Sequence, residues 1–388
     1  MWTVSNPSGQ RLTYLDNLRL VLIVLVIAHH ASQPYGPADW WYVEEEGRAP
    51  VLATVATISG AFRMSLFFFV SAYLFPPSYD RHGPSRFLGE RFKRFGPPIL
   101  LGFFVLVPVL MYAYYCNFRP YPPLGFADYY LDVYLGLGDQ PAGWSGPSWP
   151  DRQFAHLWFL QHLLAYAVLY TGYRLLTGKP AAAGPQTLKT PAILSFVALV
   201  SLGTFVLRIW YPVDHWVPML EFIQTEPADV AQYGAFFVAG LMAYRRGWLA
   251  TLSSRAGYYW LAAGTALAAA HLLLGTNPGD LYAMGGWNTG SLLWSTVESL
   301  LAVSLSLGLL VAFREWVDKP SLLLRVAAPL TFTIYVLHVP VVVGLQYAAK
   351  TLPESPLLRY AAVTTTATVL TFAIAWLVRR TPYLRRLL

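Results

Sequence analysis

Charge is what this chain of 388 residues has least of. Asp, Glu, Lys and Arg make up 12 % of it, against about a quarter of a soluble domain. Hydrophobic residues account for 56 %, aromatic residues for 16 %, and mean hydropathy is +0.44. That balance excludes an ordinary soluble domain and a disordered chain, and it points to a protein embedded in a lipid bilayer. Cysteine is nearly absent. The single Cys116 cannot close an internal disulfide, and it is expected to be a small apolar filler rather than an acyl-carrying thiol. Also missing are a paired metal-ligand motif, a Walker loop and a Gly-x-Ser-x-Gly elbow, so no metal, nucleotide hydrolysis or serine nucleophile is inferred. No internal repeat of transporter type is found and no soluble domain is appended. Residues 1–388 read as one membrane-embedded domain.

What is there is a series of long apolar runs. Ten spans are predicted, at about 12–33, 51–76, 97–116, 154–176, 191–211, 229–246, 256–274, 287–313, 326–350 and 357–379. The fold class expected is therefore an all-α, polytopic integral membrane protein. Connections of one set hold 19 of the 27 basic residues. The other set holds most of the acids, including residues 44–46, Asp214 and Asp280. By the positive-inside rule both termini are cytoplasmic. The net charge of +7 and pI near 9.3 then report topology, with no nucleic-acid footprint. The longest outer segment, 117–153, is rich in Pro, Gly, Tyr and Trp and reads as an ordered cap with little regular structure. GKPAAAGPQ at 178–186 reads as a flexible link.

Inside this apolar background the first span is unusual. RLTYLDNLRLVLIVLVIAHHA, residues 11–31, carries Asp16, Arg19, His29 and His30. Ionisable groups cost several kcal/mol in a bilayer core, so a helix that keeps them usually has a task for them. At ~100° per residue, Arg19 and His30 point within ~20° of each other, and Asp16 lies ~40° from His30. Asp16 also reaches Arg19 at i,i+3. One polar stripe thus climbs about 16 Å along one helix face. A signal peptide does not fit, because Asp16 and Arg19 interrupt the apolar stretch.

Other polar residues fall at similar depth. His156 and His162 open a descending helix, His338 sits mid-helix beside Pro340, Arg208 ends an ascending helix, and Glu298 and Arg63 lie near midplane. Several could meet His30 in one outward-facing chamber. Packing or boundary roles suit His162 and His271 better. On the cytoplasmic side, RFLGERFKRFGPP at 86–98 holds Arg86, Arg91 and Arg94. Arg91 and Arg94 share a helical face and can grip phosphates in bidentate fashion, although positive-inside anchoring would also account for them. An anion grip below and a histidine base above would suit a long anionic donor made in the cytosol.

These runs, in order, resemble the acyltransferase 3 family of integral membrane O-acyltransferases. YLDNLRLVLIVLVIAHHA resembles its first helix, with an arginine (Arg19) followed eleven positions on by a histidine (His30). FRMSLFFFVSAYLF at 62–75 resembles the second helix, Arg91 and Arg94 an R-x-x-R element, HLWFL at 156–160 the fourth helix and IYVLHVP the late histidine helix. The FRM and HLWFL forms look most like the branch containing glucan biosynthesis protein C, associated with succinylating periplasmic glucans. SAY at 71–73 stands where SGY is usual, which bears on close helix packing.

The resemblance implies transfer of an acetyl or succinyl group from cytosolic acyl-CoA, a co-substrate and not a tightly bound cofactor, to a hydroxyl of an extracytoplasmic glucan or other carbohydrate. A bacterial cytoplasmic (inner) membrane is the implied location. His30 would be the general base, Arg19 with Asp16 would hold the donor or steady negative charge, and Arg91, Arg94 and Arg86 would bind the CoA phosphates. His156, His338, Glu298 and Arg63 would position acceptor or base, and Trp40, Trp41, Trp144 and Trp149 could stack on sugar rings, although interfacial anchoring accounts for them as well. The choice between His29 and His30, and between direct transfer and an acyl-histidine, stays open. The partners expected are the bilayer, acyl-CoA and a carbohydrate, with no nucleic acid; a homo-oligomer is compatible. The alternatives are a secondary transporter or lipid-linked sugar flippase using His30, Arg19 and Glu298 as a proton relay, and a scaffold in which these charges only fix helix pairing.

Overall fold

The computed structural model describes residues 12–38, 40–178, 184–220, 222–274, 281–319, 322–382 and 384. Among the described residues, ten helical paths occupy the expected spans. They are α1 (Thr13–Ser32), α2 (Pro50–Tyr73), the joined pair α3 (Phe75–Leu101) and α4 (Val107–Phe118), α5 (Trp158–Thr177), α6 (Thr190–Arg208), α7 (Pro227–Arg245), α8 (Ser254–Leu274), α9 (Thr289–Trp316), α10 (Thr331–Ala349) and α11 (Pro356–Arg380). Among the described residues, eight helices are long and apolar enough to cross a membrane. The other two, α5 and α7, have 20 and 19 residues, enough at ~1.5 Å per residue to span ~30 Å. Polar side chains such as Gln161, His162, Asp229 and Gln232 lower their hydropathy. The chain is an all-α, polytopic membrane protein whose only described strands form a small hairpin, β1 (Val217–Met219) and β2 (Ile223–Thr225).

The expected third span, 97–116, is the upper part of a longer path. Gly83 (φ 73°, ψ 173°) breaks α3 just before Pro84, and from there the helix runs on through Arg91, Arg94 and the pair Pro97–Pro98. A π-helical turn, Gly102–Leu106, joins it to α4. Prolines remove amide donors from the ladder, and a local widening accommodates the gap. Gly102 leaves room for Leu157, since a Cβ there would lie 1.8 Å from Leu157 Cδ1 and displace that methyl. The absence of a side chain lets α3 close on the turn that carries His156.

Helix α1 is central: it packs against α2, α9, α10 and α11, while α2 lies along α7, α8 along α9, and α10 along α11. The family-typical glycine replaced at Ala72 has a counterpart across the interface. A Cβ on Gly240 of α7 would lie 2.3 Å from the Phe69 carbonyl oxygen and 2.8 Å from Ala72 Cβ. Small residues permit such backbone approach in membrane helices, and here Gly240 supplies the space that residue 72 does not.

One end of the bundle is rich in arginine. Asp80 bridges Arg174 (2.8 Å) and Arg245 (2.6 Å) there. The other end carries the cap, 117–153, whose Tyr129, Val133 and Tyr134 pack with Tyr115 of α4 on Trp41, Tyr42 and the Val339 side of α10. Apart from a short helical turn at Phe126–Asp128 and a π-helical turn at Tyr129–Tyr134, the cap is irregular, as anticipated. Buried Asp151 accepts from Arg119 (3.2 Å) and Tyr129 (3.1 Å). Trp144 and Trp149 pack on each other inside the cap, with Trp144 also stacked on Tyr121, so neither is arranged for a sugar. Cys116 is exposed and is not the packed filler expected of it, because its face of α4 turns outward. The expected link 178–186 lies largely outside the described residues, as does Asp280.

Candidate active site

His30 sits in the last turn of α1, and α10 brings His338 beside it. Their rings lie 4.9 Å apart, with His338 Nε2 3.0 Å from His30 Nδ1. His338 Nδ1 is 2.7 Å from the Tyr335 carbonyl one turn earlier. A carbonyl only accepts, so His338 carries its proton on Nδ1 and offers the Nε2 lone pair to His30. His30 Nδ1 is also 3.0 Å from the Val26 carbonyl, so it faces two acceptors and must be the protonated nitrogen. By elimination, His30 Nε2 holds a lone pair. It has no hydrogen-bond partner among the described residues, and the side chain is only partly buried. Such a nitrogen can take a proton.

The surrounding residues fix this orientation. Trp41 stacks on His30 at 5.7 Å between centroids and 22° between planes. The Trp41 indole donates to Gln346 Oε1 (2.8 Å), and Gln346 Nε2 donates to the His30 carbonyl (3.0 Å). Trp41 is thus a wall of the histidine site, not a free stacking platform. His156, in the turn before α5, lies 5.0 Å from His338 between ring centroids and donates from Nε2 to the Val336 carbonyl (2.9 Å). The Tyr335 hydroxyl donates to the His156 carbonyl. His29 is oriented differently: its Nε2 accepts from Gln33 (2.9 Å), and its ring stands at 78° to that of His30. Arg63 is buried, donates to Ser59 (3.2 Å), and lies within electrostatic reach of His29 and His30.

Toward the arginine-rich end lies a partly open cavity of about 80 Å³ lined by Arg19, Arg91 and Arg94 together with Phe75, Phe95 and Phe332. Arg19 stands 4.0 Å from Asp16. Aromatic rings hold the other two cations: Arg91 lies 4.8 Å from the centroids of both Phe75 and Phe87, and Arg94 lies 4.9 Å from Phe332. The far end of the cavity is closed by Phe159 and Tyr335, whose rings are 5.6 Å apart. Tyr335 touches both His338 (5.9 Å) and His156 (5.8 Å) from the other side. The arginines and histidines are therefore separated by one layer of side chains.

Two expected residues lie elsewhere. Arg86 is exposed and pairs with Glu90 at 3.1 Å, because its side of α3 turns away from the cavity. Glu298 is bound to Arg208 (2.5 Å), which also holds Asp229 (3.1 Å) and is fully buried; the attraction between buried opposite charges takes it out of the histidine group. His162 bonds to the Trp158 carbonyl and Thr225, and His271 stacks on Trp294, the packing roles expected of them. Two important neighbours escaped the sequence reading, Tyr335 and Gln346. Tyr335 alone had a local signal, its i,i+3 spacing to His338.

A bundle with a histidine pair over an arginine-lined pocket has the parts of a membrane group-transfer enzyme. The family model described as an acyltransferase domain, acyltransferase 3, matches residues 12–380. The chain belongs to this family and is a membrane acyltransferase. No curated protein matches it.

Proposed function

We propose that the protein moves an acyl group, acetyl or succinyl, from acyl-CoA to a hydroxyl of a carbohydrate such as a glucan on the far side of a bacterial inner membrane. The unpartnered Nε2 of His30, with its tautomer set by His338 and Val26, carries this reading. His30 Nε2 takes the proton of the acceptor hydroxyl as its oxygen attacks the thioester carbonyl. The tetrahedral intermediate collapses to ester and CoA thiolate, and the thiolate recovers the proton from His30. While His30 is an imidazolium, its Nδ1–H bond to His338 becomes charge-assisted. His338 thus supports the base as the third member of a triad supports a catalytic histidine. His156, which touches both Tyr335 and His338, acts as a positioning residue.

The donor enters at the basic end, which the positive-inside rule makes cytosolic. Arg91, Arg94 and Arg19 hold its phosphates, and the pantetheine arm points along the cavity toward Tyr335. The Tyr335 ring must turn aside for the thioester to meet His30. In purified protein, His30→Ala should abolish transfer of labelled acyl groups to oligosaccharide while acyl-CoA binding changes less than about threefold. Full activity of that variant, or carriage of unmodified sugar without acyl-CoA, would sink the proposal.

A further inference from the structure

At the cap end, beyond the histidines, one strained residue organises an exposed and a half-buried ring that the reaction above does not use. Asp214, in the turn before β1, adopts φ 67°, a left-handed conformation uncommon outside glycine and often found at functional sites. Its amide donates to Glu226 Oε1 (2.6 Å). Its carboxylate accepts from two indoles at once, Trp40 at Oδ2 (3.0 Å) and Trp216 at Oδ1 (3.2 Å). These tryptophans come from segments far apart in sequence, the α1–α2 connection and the α6–β1 turn. An indole that only anchors a protein at a membrane interface can turn its N–H to water or headgroups. Here both N–H groups are committed to one acid, which fixes the two rings relative to each other.

The rings also lead inward. Trp40 is 6.2 Å from Trp41, and Trp41 stacks on His30. Trp216 meets Trp158 edge-on at 5.8 Å, and Trp158 stacks on Tyr233. Trp40 is 39 % exposed, and Trp158 and Trp216 are partly exposed, so two files of rings run inward from the surface, the one through Trp41 ending on His30. The nearby charges are of one dominant sign. Asp214 is exposed, the cation Arg208 serves both Asp229 and Glu298, and Arg152, which lines the groove beside Trp216, is turned to the Leu135 carbonyl (2.7 Å). A ring of apolar faces with a negative rim suits a sugar whose C–H faces stack and whose hydroxyls donate to carboxylates. It disfavours a sugar acid.

We propose that Trp40 and Trp216, posted by Asp214, form the acceptor-binding mouth and admit an uncharged carbohydrate while excluding an anionic one. This rests on the acyl-transfer reading for its role as acceptor site, but binding can be measured without any donor. The full chain in nanodiscs is titrated calorimetrically with laminaritetraose, which is neutral, and with tetragalacturonate, which is anionic, in the absence of acyl-CoA. The neutral tetramer should bind at least about tenfold more tightly than the anionic one. Trp216→Ala and Asp214→Ala should each weaken it about tenfold, Trp216→Tyr should restore most of the loss, and acyl-CoA affinity should stay unchanged as the check on folding. No binding of the neutral tetramer, equal binding of the anionic one, or an unaffected Trp216→Ala variant overturns the proposal. Ring-dependent binding without ester transfer under any acyl-CoA would instead leave the mouth standing and remove the reaction.

Discussion

Replacing His338 by Ala tests the histidine pair most directly. In the resting enzyme His30 Nδ1–H has two acceptors, His338 Nε2 and the Val26 carbonyl, both at 3.0 Å. When His30 takes a proton at Nε2, the bond to His338 becomes one between a cation and a neutral acceptor, worth about 1.5–3 kcal/mol. At about 1.4 kcal/mol per decade this corresponds to roughly 10–150-fold in kcat. The Val26 carbonyl remains, so about tenfold is expected for His338→Ala, with KM for acyl-CoA unchanged. His338→Gln, whose amide oxygen can accept the same proton, should recover several-fold. His30→Ala removes the base itself and should cost about 10²–10⁴. Labelled ester formation is the suitable assay, since thiol reagents would also modify exposed Cys116. Wild-type kcat in His338→Ala, or a loss as large as in His30→Ala, would refute the division of labour between the two rings.

The remaining predictions concern the donor pocket, a helix contact and an acid at the mouth. Arg91→Ala and Arg94→Ala should each raise the acyl-CoA Kd about tenfold or more, since a charge-assisted contact is worth about 1.5–3 kcal/mol. Arg86→Ala, whose guanidinium sits on Glu90, should change it less than twofold in the same titration. Gly240→Ala places a methyl against the Phe69 carbonyl and should cost about 1–3 kcal/mol, read as a lower thermal midpoint. Burial, and next the Asp229 carboxylate, push the Glu226 carboxyl well above its ordinary range. A carboxyl so raised favours the folded state below its unfolded pKa and loses that contribution as pH rises toward the folded value. Glu226→Gln should therefore match the wild type in melting temperature near pH 4 and exceed it near pH 8.

The helical framework was legible because it is written locally. Apolar runs of about twenty residues announce spans whatever their neighbours do, and all ten predicted spans coincide with helical paths. The stripe on α1 was legible for the same reason, since Asp16, Arg19 and His30 share one helix and one period. Partners across helices were less so. His338 could be named as a buried histidine, but nothing in its neighbourhood showed that its Nε2 would meet a ring 308 residues away. Trp41 read as an outer aromatic and is a wall of the base, held by Gln346. Arg86 read like Arg91 and Arg94, because composition does not reveal which side of α3 faces inward. Glu298 reads as a companion of the histidines, and its partner Arg208 arrives instead from α6.

The layer formed by Phe159 and Tyr335 has a bearing on the life of the cell as well as on the chemistry. A protein that receives one reactant from the cytosol and another from outside runs the risk of becoming a leak. On the proposed mechanism these two rings, which stand between the arginines and the histidines, would be the seal. On the reading proposed here, each turnover opens that seal only when a pantetheine arm is present to fill the gap. Insulation and substrate entry would then be governed by the same tyrosine.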